Sequence, residues 1–307
     1  MRDTFVSEGW TVMEMHTHAK SALGKVQDLM RQWRAGHRRA DAVLVTFPSH
    51  HLMPLAWLLT RLPRKPLFFD SIISLHDTLV TDRRKFSRFS LRALFLWLLD
   101  WLGCHLADTV IVDTRAHGDF FRDTFGVKED HIRVIYLGSR PELFPARTPR
   151  LPGSPLHVLF YGTYIPLQGI EYILDAAAIV EKTDPSIRFT LVGGGQTKRE
   201  MEARALSLGL QNLTFLPFLP LADVMQRVAQ ADVTLGIFGL TPKTARVIPH
   251  KVVDSVTAGV PVITCDSPAI RERYENHPLV TLCPAGDATA LAEAILLRAR
   301  AAKEEKR

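Results

Sequence analysis

Short apolar runs alternate with longer stretches of helical periodicity along nearly the whole chain, and Gly, Pro, Asp and Ser separate them. In the first half the runs predict strands at 42–47, 66–69, 109–113 and 132–136. Helices are predicted at 22–35, 53–62 and 89–108, with another opened by Asp113 or Thr114 as N-cap. Residues 1–9 read as the tail of a helix and 10–15 as a strand. The second half restarts the alternation, with strands at 156–161, 187–192, 213–216, 232–237 and 261–264. Its helices fall at 170–182, 196–208, from about Asp223, at 249–258 and at 287–303, and residues 301–307 read as a solvated tail. Near-continuous apolar strands between helices predict an α/β fold with parallel sheets covered on both faces. Residues 145–155 have a linker composition of Pro, Arg, Gly and Ser. The chain therefore divides into domains at 1–147 and 148–307, each Rossmann-like and facing the other across a cleft.

Helix 89–108 is the most apolar in the chain and follows Arg83, Arg84, Lys85 and Arg88. Its apolar residues surround most of the helix, which predicts burial. The competing expectation is a membrane-surface contact by its basic end.

Composition sharpens this reading only in part. A 307-residue chain with 47% hydrophobic and 23% charged residues is ordinary for a globular protein of two domains. The formal charge of +6 is uneven: residues 1–150 hold 22 Lys+Arg against 16 Asp+Glu, and the remainder 16 against 16. The basic half suggests an anionic partner or surface, or simply a scattered solvated surface. Cys104, Cys265 and Cys283 fit neither a disulfide framework nor a metal spacing, so a reducing compartment is expected. No run suits a spanning helix and no signal-peptide pattern opens the chain. The expected place is cytoplasmic, with the inner face of the membrane as a peripheral site.

Residues 247–272 gather the candidate chemistry. A polar loop leads to a helix with Pro249 at its start and Gly259 past its end. Lys251 and Asp254 are three apart and share one helix face. Free N–H groups and the helix dipole suit a phosphate, and an acid one turn on could hold a ribose hydroxyl. Arg246 is either a phosphate contact or a surface cation, and Asp254 either a ribose ligand or a solvated helix residue. In the first half, residues 70–84 lie beyond a strand end, where open parallel sheets place ligand clefts. Asp70 and His76 are the candidate catalytic residues there, with Asp77 and Arg83 beside them, although His76 could simply satisfy a loop neighbour.

The stretch resembles the donor-site segment of GT-B fold glycosyltransferases of the family 4 type. Those carry an acid, seven intervening residues, a Glu, and then Ala-x-Gly-x-Pro-Val-Val. Asp254, Gly259, Pro261 and Val262 match the later part, and Arg246 stands at the first acidic position. The chain follows the variant R-x-I-P-N-K-V-x-E, with His250 for Asn and Asp254 for Glu. The ordered set YGT, QGIE, LVGGG, FLPFLP, ADV and PHKVVDSVTAGVPVIT extends the resemblance over 155–275. Gly138, Glu142 and Phe144 fit the segment that closes the first domain in such enzymes.

The resemblance implies transfer of a sugar from a UDP- or GDP-type donor to a saccharide or lipid-linked acceptor, with retention and without metal or other cofactor. Nucleic acid is not among the implied partners. It also implies a donor site drawn from Gly162, Thr163, Gln168, Gly169, Gly193, Gly194, Arg246, Lys251 and Asp254. Thr163 and Gln168 stand where relatives often have Arg and Lys, which leaves Arg246 and Lys251 to carry the positive charge. Relatives open with one strand and a Gly-rich loop ahead of the residues that begin this chain. A non-catalytic nucleotide-sugar-binding relative and a nucleotide-sugar epimerase are the rival readings.

Overall fold

The computed structural model describes Val6 and residues 8–147 and 154–304. Most of the predicted helix tail at 1–9, residues 148–153 of the predicted linker at 145–155, and residues 305–307 of the predicted tail lie outside the described residues. Two parallel sheets form, as the pattern requires. The first has the order β1 (Val43–Val45), β2 (Leu67–Asp70), β3 (Thr109–Val112), β4 (Ile132–Val134). The helices around it are α1 (Ala22–Gly36), α2 (Met53–Arg61), α3 (Leu91–Leu106) and α4 (Arg115–Phe125). Register aligns Phe69 with Val110 and Val112 with Val134. Phe69, Val110, Val112 and Phe121 fill this core with no exposed surface.

The second sheet comprises β5 (His157–Tyr164), β6 (Arg188–Gly195), β7 (Leu213–Leu216), β8 (Val233–Leu235), β9 (Val262–Cys265) and β10 (Val280–Cys283). Its order is β10-β9-β8-β5-β6-β7, with β5 inside the sheet. Helices α5 (Ile170–Thr183), α6 (Lys198–Ser207), α7 (Leu221–Gln230), α8 (His250–Thr257), α9 (Pro268–Tyr274) and α10 (Ala288–Glu304) cover it. Val158, Leu159 and Phe160 are buried because β5 is covered on both faces. A short apolar run reads as strand only with such cover, which is why β10, beginning just after His277 and Pro278, goes unread in the sequence.

Four expectations change. Residues 10–15 form no strand. β5 and β6 run further than their apolar cores, because Gly162 pairs with Gly193, Thr163 with Gly194 and Tyr164 with Gly195. The Gly triplet is therefore strand, and α6 starts at Lys198 rather than at 196. Gly193 has φ 133°, and a Cβ there would lie 2.0 Å from the Gly162 carbonyl oxygen. Only glycine lets the two strands approach this closely. Finally, α3 is buried on one side only: Ala93, Asp100, Gly103 and Cys104 face inward, whereas Leu91, Leu94, Phe95, Leu98 and Trp101 are exposed. An all-round apolar helix gives no sequence signal for which side meets the sheet.

The carboxyl ends of β2, β3 and β6 deliver their loops to the seam between the domains, where Gln196 donates to the Arg83 carbonyl at 3.0 Å and Thr114 to the Arg246 carbonyl at 2.5 Å. Asp77 and Thr78 of the first domain meet Arg246 and Lys243 of the second there. Glu272 on α9 accepts the N–H groups of Arg115 and Ala116, at 2.8 and 2.9 Å, and the Tyr136 hydroxyl at 2.9 Å. A carboxylate of one domain thus caps the N-terminus of a helix of the other, where the dipole favours it.

Candidate active site

The second domain builds its half of the site on β5 and α8. Pro249 has β-region φ and ψ and leads directly into α8, whose start carries no side-chain cap. Lys251, in that turn, is buried, and its Nζ donates to Gln168 Oε1 at 2.6 Å. Nζ lies 3.8 Å from the Phe160 ring centre. Burial holds its pKa well below the usual lysine range. A Cβ on Gly162 would meet Lys251 Nζ at 3.1 Å and Gln168 Oε1 at 3.7 Å. The structure thus brings Gly162, Gln168 and Lys251 together. Gly169 follows Gln168 at φ 63° and caps the start of α5, where a Cβ would lie 2.4 Å from the Gly239 nitrogen. Gly194 faces Phe218 and Lys198.

Asp254 lies one turn along α8 and is buried. It accepts from Ser139 Oγ at 2.5 Å and the Tyr161 hydroxyl at 3.0 Å, and pairs with His250 Nδ1 at 3.2 Å. Burial pushes its carboxyl pKa up, but these hydrogen bonds and the His250 charge outweigh burial and leave it below 3.8. His250 in turn is held above 6.5, first by its hydrogen bond to Asp254, and it also meets the Gly138 carbonyl. Ser139 and Gly138 belong to the first domain, so this group ties the domains together.

The linkage has a definite sign. His250, with a raised folded value, stabilises fully below pH 6.5 and loses its contribution as pH rises through that raised value. Asp254, with a depressed value, stabilises above pH 3.8 and loses its contribution as pH falls through the depressed one. We expect the His250 imidazole, followed by NMR, to titrate above 6.5 and to fall back in Asp254→Asn. An unchanged His250 titration in that variant would remove the pair from the account.

Arg246 sits apart from Lys251's cluster. Its guanidinium donates to Asp77 Oδ1 at 2.6 Å and lies 4.0 Å over the Phe120 ring, and its carbonyl accepts from Thr114 Oγ1 at 2.5 Å. Lys243, which the sequence did not single out, is buried beside it and donates to Thr78 Oγ1 at 2.7 Å. Burial lowers its pKa against the pull of Asp77 and Asp82.

The first-domain candidates lie on the end of β2 and the loop after it, held by groups of their own domain. Asp70 ends β2, is buried, and accepts weakly from Ile72 N–H at 3.4 Å. Burial raises its pKa, and Asp113 adds to the rise. Asp113 itself pairs with His117 at 2.7 Å. His76 is placed through its backbone N–H, which donates to Asp100 Oδ2 at 2.8 Å. Asp100 also accepts from Ser74 Oγ at 2.7 Å and Leu75 N–H at 3.0 Å, so one buried carboxylate braces the whole loop. Its only sequence signal is a lone acid inside an apolar helix. Thr163 lies near the end of β5, paired with Gly194 of β6. Among the described residues no group of three His, Cys, Asp or Glu side chains is placed to hold a metal ion.

Two family descriptions match the chain: glycosyl transferases group 1 over residues 146–306, and a glycosyl transferase 4-like domain over residues 2–138. The amylovoran biosynthesis glycosyltransferase AmsK of Erwinia amylovora is 26% identical over 176 residues, 56% of this chain and 43% of that protein. A phosphatidyl-myo-inositol mannosyltransferase of Mycobacterium leprae is 31% identical over 173 residues, 54% of this chain and 41% of that protein. The matched stretches thus span less than half the length of these curated relatives. Among solved structures, Anabaena HepE in complex with UDP-glucose superposes with TM-score 0.70 at 19% identity, over 98% of this chain and 80% of its own. Sucrose-phosphate synthase from Thermosynechococcus elongatus superposes with TM-score 0.68 at 18% identity, over 93% and 71%. These structures share the fold of two Rossmann-like domains.

Proposed function

This chain belongs to the group 1 glycosyl transferases, and from that premise we propose that it moves a sugar from a nucleotide-sugar donor to a saccharide or lipid-linked acceptor. The observation that carries the proposal is the buried Lys251 held by Gln168 against Gly162 at the first turn of α8. A buried lysine is costly without an anion, and a diphosphate is the anion that a helix start and a glycine-lined backbone suit. Phosphate charge beside Nζ favours the ammonium over the neutral amine, and the ammonium offsets the charge that develops as the nucleoside diphosphate leaves. Asp254 takes the ribose hydroxyls, exchanging one of its present partners for them. Arg246 contributes to phosphate once its pairing with Asp77 loosens, and the backbone at Gly169, Gly193 and Gly194 with the Thr163 side chain completes the donor wall.

Uridine is the base to try first, because HepE, of the same fold, was solved with UDP-glucose. Asp70 and His76 face the acceptor, and Asp70 orients its hydroxyl. The anomeric configuration is retained, with the leaving phosphate assisting the incoming hydroxyl, and no metal takes part. Transfer from UDP-glucose, read by proton NMR of the first product, is expected to give an α-linked sugar in the presence or absence of EDTA. A β-linked product, or activity abolished by EDTA, would overturn the mechanism, and bound but untransferred donor would favour the non-catalytic reading.

A further inference from the structure

The exposed side of α3 carries more apolar surface than a solvated helix needs. Leu91, Leu94, Phe95, Leu98 and Trp101 recur at helical spacing and form one stripe, and Phe89 precedes it. Phe89 and Leu91 are each 85% exposed and Phe95 is 60% exposed. The opposite side of the same helix already packs into the first domain through Ala93, Gly103 and Cys104. Neither burial nor folding accounts for the outer stripe.

Cations frame it. Arg84, Lys85, Arg88 and Arg92 are exposed at its N-terminal end, with Arg88 over the Phe89 ring at 4.6 Å and Arg92 over the Phe86 ring at 5.4 Å. At the other end Arg64, Lys65 and Arg61, the last paired to Asp108 at 3.8 Å, border a recess shared with Leu106. Residues 83–107 hold five Lys+Arg against one acid, Asp100, which is buried. An apolar stripe rimmed by cations is what an anionic bilayer surface takes: rings and leucines enter the acyl boundary, and guanidinium groups meet lipid phosphates. Self-pairing through the stripe fits poorly, because cations lie at both ends and either orientation sets them against each other.

We infer that the outer face of α3, with residues 84–92, docks this protein on an anionic lipid bilayer. The segment is joined directly to the seam, since the π-helical turn Asp77–Asp82 precedes it and the Arg83 carbonyl accepts from Gln196 Nε2 at 3.0 Å. Docking therefore sets the cleft beside the lipid surface. The inference stands on this surface alone and does not depend on sugar transfer.

The test is co-sedimentation of the full chain with vesicles of phosphatidylcholine containing phosphatidylglycerol, against phosphatidylcholine alone. Binding is expected to the anionic vesicles only and to weaken with salt. Phe95→Glu with Leu98→Glu is expected to abolish it, and Arg88→Ser to weaken it about fivefold. These side chains point outward, so melting temperature and UDP binding, measured alongside, are expected to stay at the parent level. Absence of binding by the parent chain would overturn the inference. So would binding that the double variant leaves unchanged, or a dimer of the parent that the double variant dissociates while vesicle binding persists.

Discussion

Lys251→Met is expected to weaken UDP binding about 100-fold while leaving the melting temperature unchanged or raised. The two halves have separate causes. In the free protein the amine is buried against Phe160 with Gln168 as its side-chain partner, and burial drives its pKa down. Replacing a buried cation by an apolar side chain of similar length is often neutral or stabilising. In the complex the amine faces a diphosphate. Opposite charges about 4 Å apart attract by roughly 4 kcal/mol at an effective dielectric of 20. Part of this is spent in charging and desolvation, so a net loss of about 2–3 kcal/mol, close to 100-fold, remains. A phosphate beside Nζ pulls the burial-depressed Lys251 pKa back up, so binding weakens as pH rises through the range where free and bound amines differ in protonation. Calorimetry in buffers of different ionisation enthalpy reads any proton exchanged. A variant that melts far lower and binds UDP as before would make Lys251 a structural cation.

Asp77→Ala is expected to separate stability from affinity in the opposite way. Asp77 is buried and pairs with Arg246 at 2.6 Å, and it also supports the charge on buried Lys243. Its removal leaves two cations at the seam without their shared acid, which costs about 3–5 kcal/mol for a buried pair broken on one side. The same change frees Arg246 for the donor. UDP affinity is therefore expected to hold or rise, whereas Arg246→Ala is expected to lower both stability and affinity. Urea unfolding and nucleotide titration on the two variants check this. Equal stability of Asp77→Ala and the parent, or a parallel fall in affinity for both variants, would break the account of the seam.

The convergence of Gln168 and Lys251 was legible because each lies at a helix start beyond a strand end, and local pattern places strand ends on one rim, whereas Gly162 joins them from within β5, past the apolar run that ends at Tyr161. Asp254 was legible as a site candidate for the same reason, but its partners were not. Ser139, Tyr161 and His250 come from three different elements, and only His250 lies within helical reach. Pairing across the seam left no trace either: Arg246 and Asp77 are 169 residues apart, and Glu272 and Arg115 are 157 apart. Periodicity reports the face of an element and not what that face meets. The outer side of α3 illustrates the limit, since its two apolar sides read alike until one packs against the sheet. The Gly triplet shows the converse: a phosphate-loop composition also satisfies two strands that need close approach.

Isothermal titration of the purified chain with UDP, GDP and ADP, repeated on Lys251→Met, is the most direct measurement of the donor site. One nucleotide is expected to bind at micromolar strength, UDP first, with the variant about 100-fold weaker. A folded chain that binds none of the three, or one whose binding ignores Lys251, would contradict a donor site built on β5 and α8.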